Sequence, residues 1–200
     1  SAGCAASVSV ELMLFAGDVV RPHSNGFAAG SAAVCHYSAV ATASSYTADE
    51  INTICNLWDE RTAATDGGTF TSGAWQTRDV NTEDFDTGNN ASISSNQITL
   101  AAGTYEVSIS CPAYAVNSHK SRLYNITDAS EELIGTVEFA SATSDQTRSI
   151  IKGLIVLAGT KVLEIQHYCQ TTNATNGFGV ATVGFGGSEV YTMAEFKKVA

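Results

Sequence analysis

GTYEVSISC, residues 103–111, alternates apolar and polar side chains after its glycine. On an extended chain Tyr105, Val107, Ile109 and Cys111 point to one side, and a glutamate and two serines point to the other. A strand with this period of two has one buried face and one solvated face. The segment therefore predicts a strand of an antiparallel sheet and not a helix.

Strand-sized runs separated by turn clusters continue on both sides of this segment. We predict strands over residues 75–80, 93–100, 103–115, 121–128, 134–142, 146–156, 160–170, 177–185 and 190–198. Turn residues stand at 101–102, 128–130, 158–159, 172–176 and 186–187. A series of short antiparallel strands of this kind is typical of a sandwich or jelly roll. The prediction is an all-β protein with an antiparallel jelly-roll sandwich over residues 71–200.

Residues 1–70 have a different character and contain one helix signal. The capping-box sequence TADE at 47–50 precedes Ile51, Ile54, Cys55 and Trp58, whose spacing makes one apolar helical face. We predict a short helix over 48–60, followed by a linker at 62–73 that is rich in Gly, Thr and Ala. Residues 1–70 are interpreted as a smaller mixed attachment region of strands and this helix.

Composition and charge exclude several classes of partner. The chain is 44% hydrophobic and 15% charged, and its formal net charge is −10. Nucleic-acid binding needs clustered Lys and Arg, and here only Lys197 and Lys198 are adjacent. No apolar run approaches the roughly 20 residues of a membrane helix. We expect neither nucleic-acid binding nor membrane insertion.

The five cysteines are an odd number and lack CxxC spacing, which argues against zinc. They are Cys4, Cys35, Cys55, Cys111 and Cys169. We interpret them as buried apolar side chains of a protein that folds in a reducing cytosol. Pairing of Cys111 with Cys169 across strands remains open.

The sequence lacks the common catalytic motifs: GxSxG, P-loop, HExxH and the Rossmann glycine fingerprint. The four histidines do not have metal-ligand spacing. The acidic cluster Glu83, Asp84 and Asp86 is interpreted as a solvated loop, with a calcium site that includes Asn89 as the alternative. We expect no enzyme, no catalytic residue, no metal ligand and no cofactor.

A series of sequence blocks resembles a known family. The blocks are WQTRDVNT (75–82), SNQITLAAGTYEVSISCPAYAVNSHKSRLYNIT (95–127), IGT (134–136), QTRSIIKG (146–153), LEIQHYCQTTNATNGFG (163–179) and EVYTMAEFKKV (189–199). Together they resemble the trimeric jelly-roll modules of bacteriophage virion proteins, which are related to the globular heads of complement's first component and to tumour necrosis factor. The resemblance implies a homotrimer, with Tyr105, Ile165, Tyr191 and Phe196 as residues of the core or the trimer contact.

Several exposed polar and aromatic residues are candidates for a carbohydrate-binding face. Aromatic rings beside amide and hydroxyl groups suit sugars. The candidates are Tyr114, Tyr124, Tyr168, Gln170, Asn173 and Asn176.

The resemblance implies a homotrimeric virion structural protein of a bacteriophage, folded in the host cytoplasm. It would be displayed on the particle surface as a capsid decoration protein, a cement protein or a head fibre. Residues 1–70 would bind other virion proteins, and three copies would multiply a weak surface interaction. The alternative is a receptor-binding tail fibre or tail-tip module that recognises host surface glycans. A surface depolymerase and a secreted lectin are the competing classes.

Overall fold

The computed structural model describes residues 53–200, which form eleven β-strands and no helix. The strands are β1 (Ile54–Arg61), β2 (Gln76–Thr77), β3 (Thr82–Asp86), β4 (Ala91–Ser94), β5 (Gln97–Leu100), β6 (Gly103–Tyr114), β7 (Asn117–Asn125), β8 (Ser130–Ala140), β9 (Gln146–Leu157), β10 (Lys161–Cys169) and β11 (Glu189–Lys198). All strand pairs are antiparallel.

The strands form two packed sheets. Sheet I has the order β3-β1-β11-β6-β9, and sheet II has the order β4-β5-β10-β7-β8. The short β2 also pairs with β10, beyond the end of β5. The chain crosses repeatedly from one sheet to the other, so neighbours in space are distant in sequence. The predicted all-β jelly-roll sandwich is confirmed.

The core lies between the inner faces of the two sheets. Tyr105, Val107, Ile109 and Cys111 of β6 are all at most 1% exposed, whereas Glu106 between them is exposed. The alternation in residues 103–111 therefore arises from one buried and one exposed face of a strand, as predicted. Apolar side chains from both sheets complete one continuous cluster.

The predicted helix over 48–60 is wrong for the residues that the structure describes, because Ile54–Arg61 is strand β1. β1 lies between β3 and β11 and is hydrogen-bonded to both. Cys55 and Leu57 point into the core while Asn56 and Trp58 lie on the outer face. A helix here would leave sheet I divided. The predicted boundary at residue 70 therefore falls within the jelly roll, and residues 1–52 lie outside the described residues.

The predicted strand 93–100 is a hairpin of β4 and β5. Ser95 and Asn96 both have positive φ (52° and 63°), the backbone of a two-residue primed turn. Such turns usually contain glycine, so this one has no strong sequence signal. The Asn96 side chain holds the turn: its amide nitrogen donates to Asp79 at 2.8 Å, and its oxygen accepts from the Val80 amide at 3.3 Å.

Three further predictions fail locally. The predicted strand 75–80 is reduced to β2, Gln76–Thr77, and the acidic segment predicted as a loop contains the edge strand β3. The predicted strand 177–185 is a loop. Its glycines at 179 and 184 have positive φ, which interrupts the regular extended backbone of a strand. Val183 and Phe185 consequently stand 83% and 85% exposed.

Between β2 and β3 the chain passes through the interior, at Arg78. This side chain is fully buried, and its guanidinium donates to Thr192 Oγ1 (2.9 Å), Pro112 O (2.9 Å) and Phe178 O (3.0 Å). Its backbone amide donates to Ile165 O of sheet II at 2.8 Å. One residue therefore links β6 and β11 of sheet I with β10 of sheet II.

The position of β1 predicts different results for two truncations. Removal of residues 1–52 should leave a folded sandwich, because every described strand is retained. Removal of residues 1–70 should abolish cooperative unfolding, since it deletes β1 from the interior of sheet I together with the buried Phe70. Thermal denaturation followed by circular dichroism tests both. A cooperative transition at an unchanged midpoint in the shorter protein would contradict the assignment of β1.

Candidate functional site

The outer face of sheet II carries a group of aromatic and cationic side chains. Lys120, Arg122 and Tyr124 alternate along β7 and therefore share this face. Tyr168 of β10 lies directly opposite Lys120 in the register. Trp75 precedes β2, and the pairing of β2 with β10 sets it beside Tyr168.

These side chains form an ordered stack. The rings of Trp75 and Tyr168 meet edge to face, with centroids 5.7 Å apart. The Arg122 guanidinium lies 4.1 Å from the Trp75 ring centroid and 4.4 Å from that of Tyr124. Arg122 also donates to Gln166 Oε1 at 2.8 and 2.9 Å and contacts Glu131 at 3.4 Å. The stack fixes the guanidinium plane and both flanking rings.

A pocket of about 620 Å³ opens beside this stack. Lys120, Tyr168, Gln170 and Ser118 line it, together with Ser72 and the exposed Val137. The pocket therefore combines an aromatic ring, an ammonium group, an amide and hydroxyls. Its volume is in the range of small-ligand sites, roughly 300–1,000 Å³.

The residues predicted for a ligand-binding surface fall into separate groups. Tyr168 and Gln170 line the pocket, whereas Tyr124 lies outside it, in the stack against Arg122. Asn173 instead has a structural role in a loop. Its Oδ1 accepts from the amides of Thr175 and Asn176, and its Nδ2 donates to Tyr114 O at 3.2 Å.

Sequence reasoning missed Trp75 and Lys120 as site residues. The alternation of Lys120, Arg122 and Tyr124 was a usable signal for one outer face. The position of Trp75 had no such signal, because it depends on the pairing of the two-residue β2.

The four residues predicted for the core or the trimer contact all lie inside a single chain. Ile165 and Phe196 are fully buried. Tyr105 and Tyr191 are buried, and their hydroxyls donate to Ala101 O (3.0 Å) and Thr65 O (2.8 Å). A contact between chains would have to use other residues.

Two histidines meet in the interior of sheet II. His119 Nδ1 and His167 Nε2 are 3.0 Å apart, and His119 Nε2 lies 2.8 Å from Thr147 Oγ1. His167 Nδ1 is buried without a hydrogen-bond partner. The tautomers that satisfy every donor have His167 Nε2–H donating to His119 and His119 Nε2–H donating to Thr147. The one unsatisfied atom is then an acceptor, and both rings are neutral.

The surroundings keep this histidine pair uncharged. Burial lowers the pKa of His119 to about 4, with nearby Arg78 acting in the same direction and Glu138 opposing it. Burial lowers the pKa of His167 well below its usual value, and Arg78 and His119 lower it further. Protonation would place a second positive charge near the buried guanidinium.

Among residues 53–200 there is no group of three or more His, Cys, Asp or Glu side chains placed to hold a metal ion. The Asp86 carboxylate of the predicted acidic cluster already accepts from the backbone amides of Gly88 (3.0 Å) and Ala91 (2.7 Å). The three cysteines of this region, Cys55, Cys111 and Cys169, are buried free thiols. The described residues also include no helix that is long and apolar enough to span a membrane.

Solved structures with a similar architecture include the vertex protein P5 of PRD1. Its TM-score is 0.50 at 15% sequence identity, over 75% of this chain and 99% of that chain. This chain shares the fold of that vertex protein. The similarity confirms, at the level of the fold, the resemblance to jelly-roll modules of phage virion proteins.

Two other similar structures come from animals. One is the globular domain of the zebrafish complement 1qA protein, with a TM-score of 0.48 at 13% identity over 74% of this chain and 98% of that chain. The other is murine APRIL at pH 5.0, with a TM-score of 0.49 at 8% identity over 74% of this chain and 99% of that chain. No protein-family model and no curated protein matches the sequence.

The buried histidine pair predicts a loss of stability in mild acid. The unfolded chain protonates its histidines near pH 6.5, whereas folded His119 does so only near pH 4. Between these values the unfolded state binds more protons, so the free energy of unfolding falls as the pH decreases. Urea denaturation at pH 7 and pH 4.5 should show a decrease on the order of 2 kcal/mol from this source.

A variant with both His119→Gln and His167→Gln serves as the control. It should be less stable at pH 7 but should lose less stability between pH 7 and pH 4.5. Equal losses in the variant and the wild type would show that the carboxylates alone cause the acid effect.

Proposed function

We propose that the chain is a homotrimeric structural protein of a bacteriophage virion, displayed on the particle surface as a capsid decoration, cement protein or head fibre. The fold shared with the PRD1 vertex protein P5 is the observation that carries this proposal. Residues before the sandwich would bind other virion proteins. The action would be noncovalent binding and not catalysis.

Exposed apolar side chains on the edge strand β9 support self-association. Leu154 and Val156 alternate along β9 on the outer face of sheet I and are 64% and 74% exposed. β8 and β9 are the edge strands of sheets II and I and lie against each other, with the Thr136 hydroxyl accepting from the Ile150 amide at 3.0 Å. A soluble protein rarely leaves such a strip uncovered.

The outer face of sheet I, which also carries Leu154, has two recesses that a neighbouring copy would cover. One recess of about 220 Å³ is lined by the small side chains of Ser108, Ser110 and Ala194 and by the larger ones of Asn56, Trp58, Met193 and Glu195. A second recess of about 700 Å³ lies next to it, between Ser108 and Leu154, and is also lined by the charged Glu106, Lys152 and Glu195. An edge of one copy on the face of the next is a head-to-tail contact, and three copies close it into a ring.

Sedimentation of the full chain at micromolar concentration tests the trimer. The wild type should have three times the 20.9 kDa chain mass. Leu154→Glu should give a folded monomer, because a charge cannot be buried in an apolar contact without a partner. The matched control Val183→Glu, in the exposed loop after β10, should remain trimeric. A wild-type monomer would overturn the proposal.

Immunogold labelling of phage particles distinguishes the two virion roles. Gold on the capsid surface would support a decoration protein, cement protein or head fibre. Gold at the tail tip would favour the alternative, a receptor-binding module for host glycans, for which the pocket beside Trp75 and Tyr168 is the specific support. Unlabelled particles would contradict a place on the virion surface.

A further inference from the structure

We propose that the outer face of sheet II carries a binding site for an acidic sugar, in the pocket between Lys120 and Tyr168. The biological setting of this inference rests on the proposed surface display. Its chemistry rests on the site alone.

The pocket has the shape and surfaces that a sugar ring requires. Its volume of about 620 Å³ suffices for a short oligosaccharide segment, and one wall is the Tyr168 ring, 37% exposed. Trp75 supports that ring edge to face, so the aromatic surface is held in place. The axial C–H groups of a hexose pack against such a surface. An aromatic wall on a rigid sheet loses little conformational entropy on binding.

Polar groups at the rim match sugar hydroxyls in kind. Gln170 presents an amide at the end of β10, and it accepts from the Ser118 amide only at 3.4 Å, a long hydrogen bond. Ser118 and Ser72 line the same opening, and the Ser72 hydroxyl is hydrogen-bonded to Thr172 Oγ1 at 3.0 Å. These groups both donate and accept, as sugar hydroxyls do.

Lys120 determines that the preferred sugar is acidic. No carboxylate of residues 53–200 lies within 4 Å of its ammonium group, which is also true of Lys152, Lys197 and Lys198 but not of Arg122 on the same face. The ammonium instead stands 6.0 Å from the Trp75 ring centroid, at the pocket. An unpaired cation beside the aromatic wall, in a chain of net charge −10, selects an anionic group on the ligand.

The carboxylate of a hexuronic acid fits this arrangement. It is attached directly to the sugar ring, so ring and charge would be bound side by side by Tyr168 and Lys120. Neighbouring Arg122 adds positive potential, although Glu131 and Gln166 already occupy its donors. Polysaccharides of bacterial surfaces are a class of molecule that offers repeated units of this kind, and three sites in one trimer would bind them with avidity.

The test applies the full chain to immobilised oligosaccharides of one length in three forms. These are a hexuronic-acid oligomer, the same oligomer with its carboxylates reduced to alcohols, and a neutral oligomer phosphorylated on its primary hydroxyls. We expect binding to the uronic-acid form and at least a tenfold loss on carboxyl reduction. Equal binding to the reduced form, or binding to the phosphorylated form alone, would overturn the assignment.

Two site variants and one matched control locate the binding. Lys120→Gln and Tyr168→Ala should each weaken binding at least tenfold. Lys161→Gln removes the same charge from the same sheet, at the start of β10, and should bind as the wild type does. If both site variants bind normally, the site is not this pocket.

The experiment separates the inference from the proposed function. A folded trimer that binds none of the three oligosaccharides overturns the acidic-sugar site and leaves the trimer intact. The Leu154→Glu monomer should still bind the uronic-acid oligomer, with single-site affinity and without avidity. Binding by a monomeric wild type would support the site while contradicting the trimer.

Discussion

A single buried guanidinium constrains the way in which this sandwich is closed. Arg78 is fully buried, and no carboxylate of the described residues pairs with it within 4 Å. Burial lowers its pKa, but an arginine side chain stays protonated. Its charge is therefore stabilised by three accepting oxygens, from β6, β11 and the segment at Phe178, and by the Phe178 ring 4.4 Å away. All four contacts are needed together, because burying the guanidinium charge without them would greatly destabilise the folded state.

This constraint connects the core to the outer surface. Arg78 holds the segment that pairs with β10 on one side and contacts β1 on the other, where the Asn81 amide donates to Trp58 O at 2.9 Å. Trp75 lies three residues before Arg78, so the fixed segment sets its ring against Tyr168 and Arg122. The positions of the aromatic and cationic side chains on the outer face of sheet II therefore depend on how Arg78 packs in the core. Binding residues on a rigid scaffold need little reorganisation when a ligand arrives.

Much of the fold follows from local patterns, and its exceptions have physical causes. Strict alternation, as in residues 103–111, is decisive because only a half-buried strand satisfies it. The segment around β1 fits both a helical and a strand period, and the choice depends on the partners β3 and β11, which are distant in sequence. Of the candidate site, the shared face of Lys120, Arg122 and Tyr124 follows from alternation. The position of Trp75 and the interior location of Arg78 do not, because both arise from the register between β2 and β10.

Native-state hydrogen exchange tests most directly whether the segment around Arg78 is part of the core. In the wild type the amides of Arg78 and Asn81, which donate to Ile165 O and Trp58 O, should exchange only through global unfolding, as slowly as those of β6. In Arg78→Met these two amides should exchange faster than the amides of β6, because the segment can then open by itself. Fast exchange of the segment in the wild type, or unchanged protection in Arg78→Met, would contradict the central role of this guanidinium.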